Sequence, residues 1–208
     1  MALRFAIALL TGTFLGPASA APIPRDTGKA ELYFPTAVGA KWVLELNRNG
    51  QVREEFHEVL KVIEVHGARL VSVQIRDDAG NVLGEYQMEV SPAGLYRVQQ
   101  PQPGTRIEFQ TECLLKLPVD PKMPWTSDAR SGGRRRSKQT HIASLPEEVK
   151  VPAGRFHAVR VVTETDSATE AGKTIASTRW YVPGKGMIRE SSILGETVMK
   201  SFAAGKDP

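Results

Sequence analysis

Residues 71–90 read VSVQIRDDAGNVLGEYQMEV. Val71, Val73 and Ile75 alternate with Ser72, Gln74 and Arg76, and beyond Asp78-Ala79-Gly80-Asn81 the pattern resumes, with Tyr86, Met88 and Val90 set against Glu85, Gln87 and Glu89. A repeat of two puts each apolar set on one face of a pleated strand; a helix would need a repeat near 3.6. The Asp, Gly and Asn cluster between the runs is turn chemistry, so this stretch predicts a β-hairpin.

The same signature extends outward. Val159, Val161 and Thr163 alternate with Ala158, Arg160 and Val162, and Thr178, Trp180 and Val182 alternate with Arg179 and Tyr181. Asn49-Gly50 separates Lys41–Leu46 from Gln51–Val65, and Pro92-Ala93-Gly94, Pro103-Gly104, Pro152-Ala153-Gly154 and Pro183-Gly184 mark further bends. About ten strands follow from these signals. One segment competes: in Glu54–Val65, Phe56, Val59, Leu60 and Ile63 also fit a helical period. Its β-branched Val59, Val62, Ile63 and Val65, and the Asn49-Gly50 turn before it, favour strand. The fold class expected is all-β with little helix: a curved antiparallel meander, as a half-barrel or open barrel. Thr126–Gln139 reads as a long loop or a ragged hairpin.

Composition narrows the class. The 208 residues are 41% hydrophobic and 24% charged, with one Cys and a net charge of +4. That is too apolar for disorder and too poor in Cys for a disulfide scaffold. The N-terminus reads as a secretory signal: Arg4, then the mostly apolar Phe5–Gly16, then Ala18-Ser19-Ala20. Twelve residues are too few to span a bilayer as a helix, which takes about 20. Cleavage is expected after Ala20, sending residues 30–208 as a single β domain, with a flexible lead-in at 21–29, to the periplasm or the medium. Removing residues 1–20 takes away one Arg and no acid, leaving +3. No Cys follows the apolar run and no second apolar run occurs, so no lipid attachment and no transmembrane segment is expected.

Three motifs add a resemblance. They are Tyr33-Phe34-Pro35 with Val38-Gly39-x-x-Trp42; Val151-Pro152-Ala153-Gly154-x-Phe156; and Trp180-Tyr181-Val182-Pro183-Gly184-x-Gly186, with Cys113-Leu114-Leu115-x-Leu117-Pro118 as a fourth. Their order and spacing resemble those of an uncharacterised family of secreted bacterial β-domains. Such domains look like the half-barrel of the LolA and LppX lipoprotein carriers, and the resemblance implies a curved sheet with an apolar concave face. The residues also have a direct reading: Pro and Gly shape turns, and Trp42, Trp180 and Tyr181 are large anchors for a core.

Chemistry is sparse. Between Asp128 and His141 lie Arg130, Arg134, Arg135, Arg136 and Lys138, a window of +4 that suits contact with an anionic head group or polymer. Export, and the lack of interleaved aromatics for stacking bases, argue against nucleic acid. His57, His66, His141 and His157 have no metal-ligand spacing, so no metal is expected. Asp77–Asn81 lacks the alternating carboxylates of a calcium loop. No nucleophile elbow, zinc-protease motif, phosphate loop or dinucleotide fingerprint occurs, so neither enzymatic activity nor a cofactor is expected. Cys113, in an apolar run, reads as a small hydrophobe.

The leading expectation is a non-enzymatic exported domain that binds an apolar or amphipathic ligand, such as a lipid, on a concave face lined by Trp42, Phe109, Val161 and Trp180. Arg134, Arg135 and Arg136 would then contact an anionic group. The alternative is an envelope module docking a protein or anionic polymer through a sheet edge or the basic loop; a hydrolase is a third. Core volume discriminates, because a carrier leaves a cavity of several hundred Å³ and a scaffold packs shut. Changing Arg134, Arg135 and Arg136 together to Ser is expected to shift stability by less than about 0.5 kcal/mol. A large drop in melting temperature would show that the loop is packed.

Overall fold

The computed structural model describes residues 31–99, 110–131, 135–166 and 174–206. The signal segment 1–20, the lead-in 21–29, Phe109 and Arg134 lie outside the described residues. Among those described there is no helix, and hence none that could cross a membrane.

Thirteen strands form: β1 (Lys41–Arg48), β2 (Gln51–Val65), β3 (Ala68–Arg76), β4 (Val82–Ser91), β5 (Gly94–Gln99), β6 (Gln110–Lys116), β7 (Trp125–Ser131), β8 (Arg135–Ala143), β9 (Glu147–Val151), β10 (Gly154–Asp166), β11 (Thr174–Val182), β12 (Gly186–Ser192) and β13 (Gly195–Ala203). Twelve follow one path, β6-β5-β4-β3-β2-β1-β13-β12-β11-β10-β8-β7, and β9 pairs with β10 beside it. The two ends of the path come together: the Trp125 indole N–H donates to the Cys113 carbonyl at 3.0 Å. The meander is thus a nearly closed barrel. Thr126–Gln139 is part of the β7–β8 hairpin, with Ser127 opposite Gln139.

Strand β2 explains the competing helical period. Gln51–Glu58 pairs with β1 and Phe56–Val65 with β3, and the β3 register slips between Val59 and Lys61. A bulge moves a strand's apolar set to the other phase. Before the slip His57 and Val59 face inward; after it Val62 does, opposite the fully buried Val71. Of Phe56, Val59, Leu60 and Ile63, only Val59 is buried. The pseudo-helical spacing is two strand phases joined by a bulge.

Every pairing is antiparallel, so β1, β3, β5, β7, β10 and β12 run one way and the turns after them share one end of the barrel, the mouth. Asn49 and Gly50 adopt positive φ at the β1–β2 turn, as a tight hairpin requires. The opposite end is plugged by the segment before β1. Phe34 meets Trp42 edge-on, ring centroids 5.8 Å apart, and the Gly184 amide donates to the Leu32 carbonyl at 2.7 Å. Gly186, at φ +79°, leaves room for the Phe34 ring, which a Cβ there would approach to 3.1 Å. The Ala153 amide donates to Met199 in β13, and Lys185 lies over the Phe202 and Phe156 rings. The three sequence motifs therefore converge on one job, closing the base.

Gly154 sits at φ +140°, with the Phe156 ring 3.3 Å from where a Cβ would be. Gly154→Val and Gly186→Val are each expected to cost about 1–3 kcal/mol, read as a lower denaturant midpoint. An unchanged midpoint would overturn the corresponding turn assignment.

Candidate functional site

The inward face does not fill the barrel. A cavity of about 480 Å³ runs from Phe34 and Trp42 at the base to the exposed Arg48 at the mouth. Leu44, Met88, Leu95 and Leu114 give it apolar walls. Glu55, His57, Tyr86, Arg97, Arg179 and Glu190 make the rest of its lining polar.

His57 reaches the cavity from β2, opposite Trp42 in the β1 register. Its ring stacks on Trp42 with centroids 5.2 Å apart, and Nδ1 lies 3.3 Å from the Tyr86 hydroxyl. Nε2 is buried and has no hydrogen-bond partner; the nearest carboxylate oxygen, on Glu55, is 3.6 Å away. The His57 ring beside it holds the Glu55 carboxyl below its ordinary range against the opposing effect of burial, with help from Arg53 and Arg48. Burial pushes the Tyr86 phenol up, so it remains a neutral hydroxyl.

Across the lumen, Arg179 donates to Glu190 at 2.8 Å. Tyr181, two residues on, is buried and its phenol is raised by desolvation. Arg97 projects from β5 between Met88 of β4 and Glu112 of β6 in the register. No carboxylate of the described residues lies within ion-pair distance of it.

Of the residues expected on the concave face, Trp42 borders the cavity. Val161 points inward opposite Arg179 but is wholly buried in packed core. Trp180 faces outward: Arg189 lies over its ring at 5.1 Å and its indole N–H donates to Glu147 at 2.7 Å. The inward set on β11 is Arg179 and Tyr181, because the interior retains water-accessible space that accommodates a paired guanidinium. Arg135 and Arg136 belong to β8, and Arg136 pairs with Arg130 near the mouth. The polar lining was hidden in sequence because charged residues at alternate strand positions usually mark the solvent face.

His57 and His66 are the two histidines nearest each other in the sequence. His57 and His66 lie on one strand and its turn, about 30 Å apart if fully extended, and His66-Gly67 is itself the β2–β3 turn. The Asp77 carboxylate accepts from the Asn81 side chain and backbone at 2.8 and 2.7 Å, which lowers its pKa and commits it to its own turn. Cys113 is half-buried, and burial pushes its thiol up to about 11, so it holds little thiolate.

One Ser–His pair invites a catalytic reading. His141, on β8, accepts from or donates to Ser127 at 2.7 Å through Nε2 and Thr163 at 2.9 Å through Nδ1, and stacks on Trp125 at 5.2 Å. Burial first, then the charge of Arg179, lowers its pKa to about 4. A base that weak draws little proton from a serine near neutral pH, and the third member is Thr rather than a carboxylate. The trio ties β7, β8 and β10 together beside the seam.

No protein-family model matches the chain, and no curated protein does. Among solved structures it is similar to a proposed lipoprotein from Parabacteroides distasonis, with 16% identity and a TM-score of 0.57 over 84% of this chain and 100% of that one. It is also similar to a proposed exported protein with a YmcC-like fold from Bacteroides fragilis, with 17% identity and a TM-score of 0.54 over 83% of this chain and 99% of that one. At such identities the likeness is one of fold: an all-β, barrel-like architecture. Of the expected likeness to LolA and LppX, the curved antiparallel sheet is the part that stands.

The His141 ring is neutral in the fold and gains a proton on unfolding below its ordinary value of 6.5. Its contribution is full above about pH 6.5 and is lost as pH falls toward about 4. Melting temperature should therefore drop across that window, and His141→Gln should flatten the drop. Parallel curves for the two proteins would show that the imidazole is not the titrating group.

Proposed function

We propose that this chain is an exported, non-enzymatic binding protein that holds a lipid-like amphipathic molecule inside its barrel. The observation that carries the reading is the cavity of about 480 Å³, apolar toward the base and polar along its walls. Protein interiors normally pack to crystal-like density, and a gap of this size falls in the range of ligand pockets, about 300–1,000 Å³. It suits a single-chain amphiphile better than a lipid with several chains. The secretory pattern of residues 1–20 and the exported or lipoprotein descriptions of the fold neighbours support a location outside the cytoplasm.

The test is mass spectrometry of protein purified without detergent from its own envelope, intact and after solvent extraction. A molecule bound at about one per chain and removed by solvent is expected. Trp42 lines the cavity, so a bromine-bearing acyl chain should quench its fluorescence, and Trp42→Phe should abolish that part of the quenching. An empty chain that shows no such quenching would overturn the carrier reading. It would favour docking of an anionic polymer or partner at the basic β7–β8 hairpin near the mouth.

A further inference from the structure

The cavity's polar wall is unevenly compensated. Glu55 is engaged by Arg53 at 2.8 Å and Glu190 by Arg179 at 2.8 Å. Lys185 is held over the Phe202 ring, 4.3 Å from its centroid. Arg97 lines the same cavity with no carboxylate of the described residues in ion-pair range, and it retains substantial exposure there. Its register partner Glu112 is buried and forms no ion pair with it. Arg48 adds a second such cation at the mouth.

His57 supplies an independent sign of a missing partner. The residue is only 6% exposed, yet Nε2 has no partner within hydrogen-bond distance; its nearest neighbour of that kind is the Glu55 carboxylate, 3.6 Å away. A buried polar atom left unpaired costs about 1–3 kcal/mol, so such atoms are normally satisfied. The Tyr86 hydroxyl, 3.3 Å from Nδ1, can serve that nitrogen as donor; the proton is then on Nε2, at the cavity wall beside Glu55, where an entering anion can share it. The rest of the lining is mostly apolar, with Phe34, Trp42, Leu44, Met88, Leu95 and Leu114, and with Lys185 held over Phe202 at the base.

Resting on the carrier reading, we infer that the ligand is a single-chain amphiphile with an anionic head, its carboxylate or phosphate held by Arg97 and by the His57 Nε2–H, its chain buried toward Phe34. An arginine binds either head strongly, because its planar donors match both carboxylate and phosphate. Placing the head in the barrel wall also separates this role from the basic β7–β8 hairpin outside.

The experiment uses delipidated full-length mature protein and three probes sharing one brominated chain: 9,10-dibromostearic acid, 9,10-dibromostearyl phosphate and the neutral methyl 9,10-dibromostearate. Binding is read as Trp42 quenching, the part lost in Trp42→Phe. At least one anionic probe is expected to bind about tenfold or more tighter than the ester, and the stronger of the two identifies the head. Arg97→Gln should erase that preference, and Arg97→Lys should restore part of it. His57→Phe, which keeps the stack on Trp42, should weaken both anionic probes. Equal binding of all three, or a preference that survives Arg97→Gln, would overturn the head-group assignment while leaving the carrier reading intact. Failure of every probe, the ester included, would remove the carrier reading itself.

Discussion

A sheet that closes on itself must fill its own lumen, and the number of strands sets how much there is to fill. Around eight strands, side chains alone can occupy the interior. Here twelve strands make up the ring, and no helix of the described residues enters it. Inward residues as large as Trp42, Met88 and Tyr181 meet one another only in part, and the remainder is cavity. The base plug, the polar wall and the mouth all follow from that excess of circumference.

The plug is the structural cost of such a barrel. An open base would leave the apolar floor in water, so Tyr33 and Phe34 are drawn across it and held by Trp42, by the Leu32–Gly184 hydrogen bond and by the space at Gly186. The motifs of this sequence are the residues of that closure. Their chemistry is turn geometry and aromatic packing, and it says nothing direct about a ligand.

Around the lumen wall the side chains change character. His57, Tyr86, Arg97 and the Arg179–Glu190 pair occupy positions that a packed core would give to Val or Leu. Buried charges persist only when paired, hydrogen-bonded or wetted. Glu190 pairs Arg179, Tyr86 partners one nitrogen of His57, and the cavity itself admits solvent to Arg97. At the seam the problem differs, since β6 and β7 are ring ends without a continuous ladder. There Trp125 reaches the Cys113 carbonyl across the gap, and beside it His141 bonds Ser127 and Thr163, adding side-chain ties to the β7–β8–β10 ladders.

The sequence alone determined the elements and their class. Alternation at Val71–Ile75 and Tyr86–Val90, and turns at Asn49-Gly50 and Asp78–Asn81, are local consequences of side-chain direction and backbone strain, legible without knowing neighbours. What tertiary structure decided was phase and side. The bulge at Val59–Lys61 shifts half of β2 to the other face, and plain alternation along β11 leaves the Trp180 ring outside while Arg179 and Tyr181 point in. Size suggested that Trp180 would line the interior; register put Arg179 there. Alternation reports two faces but does not label them, and a polar cavity removes the usual label, because its inward positions are partly charged. Which strands meet around the ring, how wide it is and which charges lack partners inside it depend on pairings between residues far apart in the chain, and those exist only once the sheet has closed.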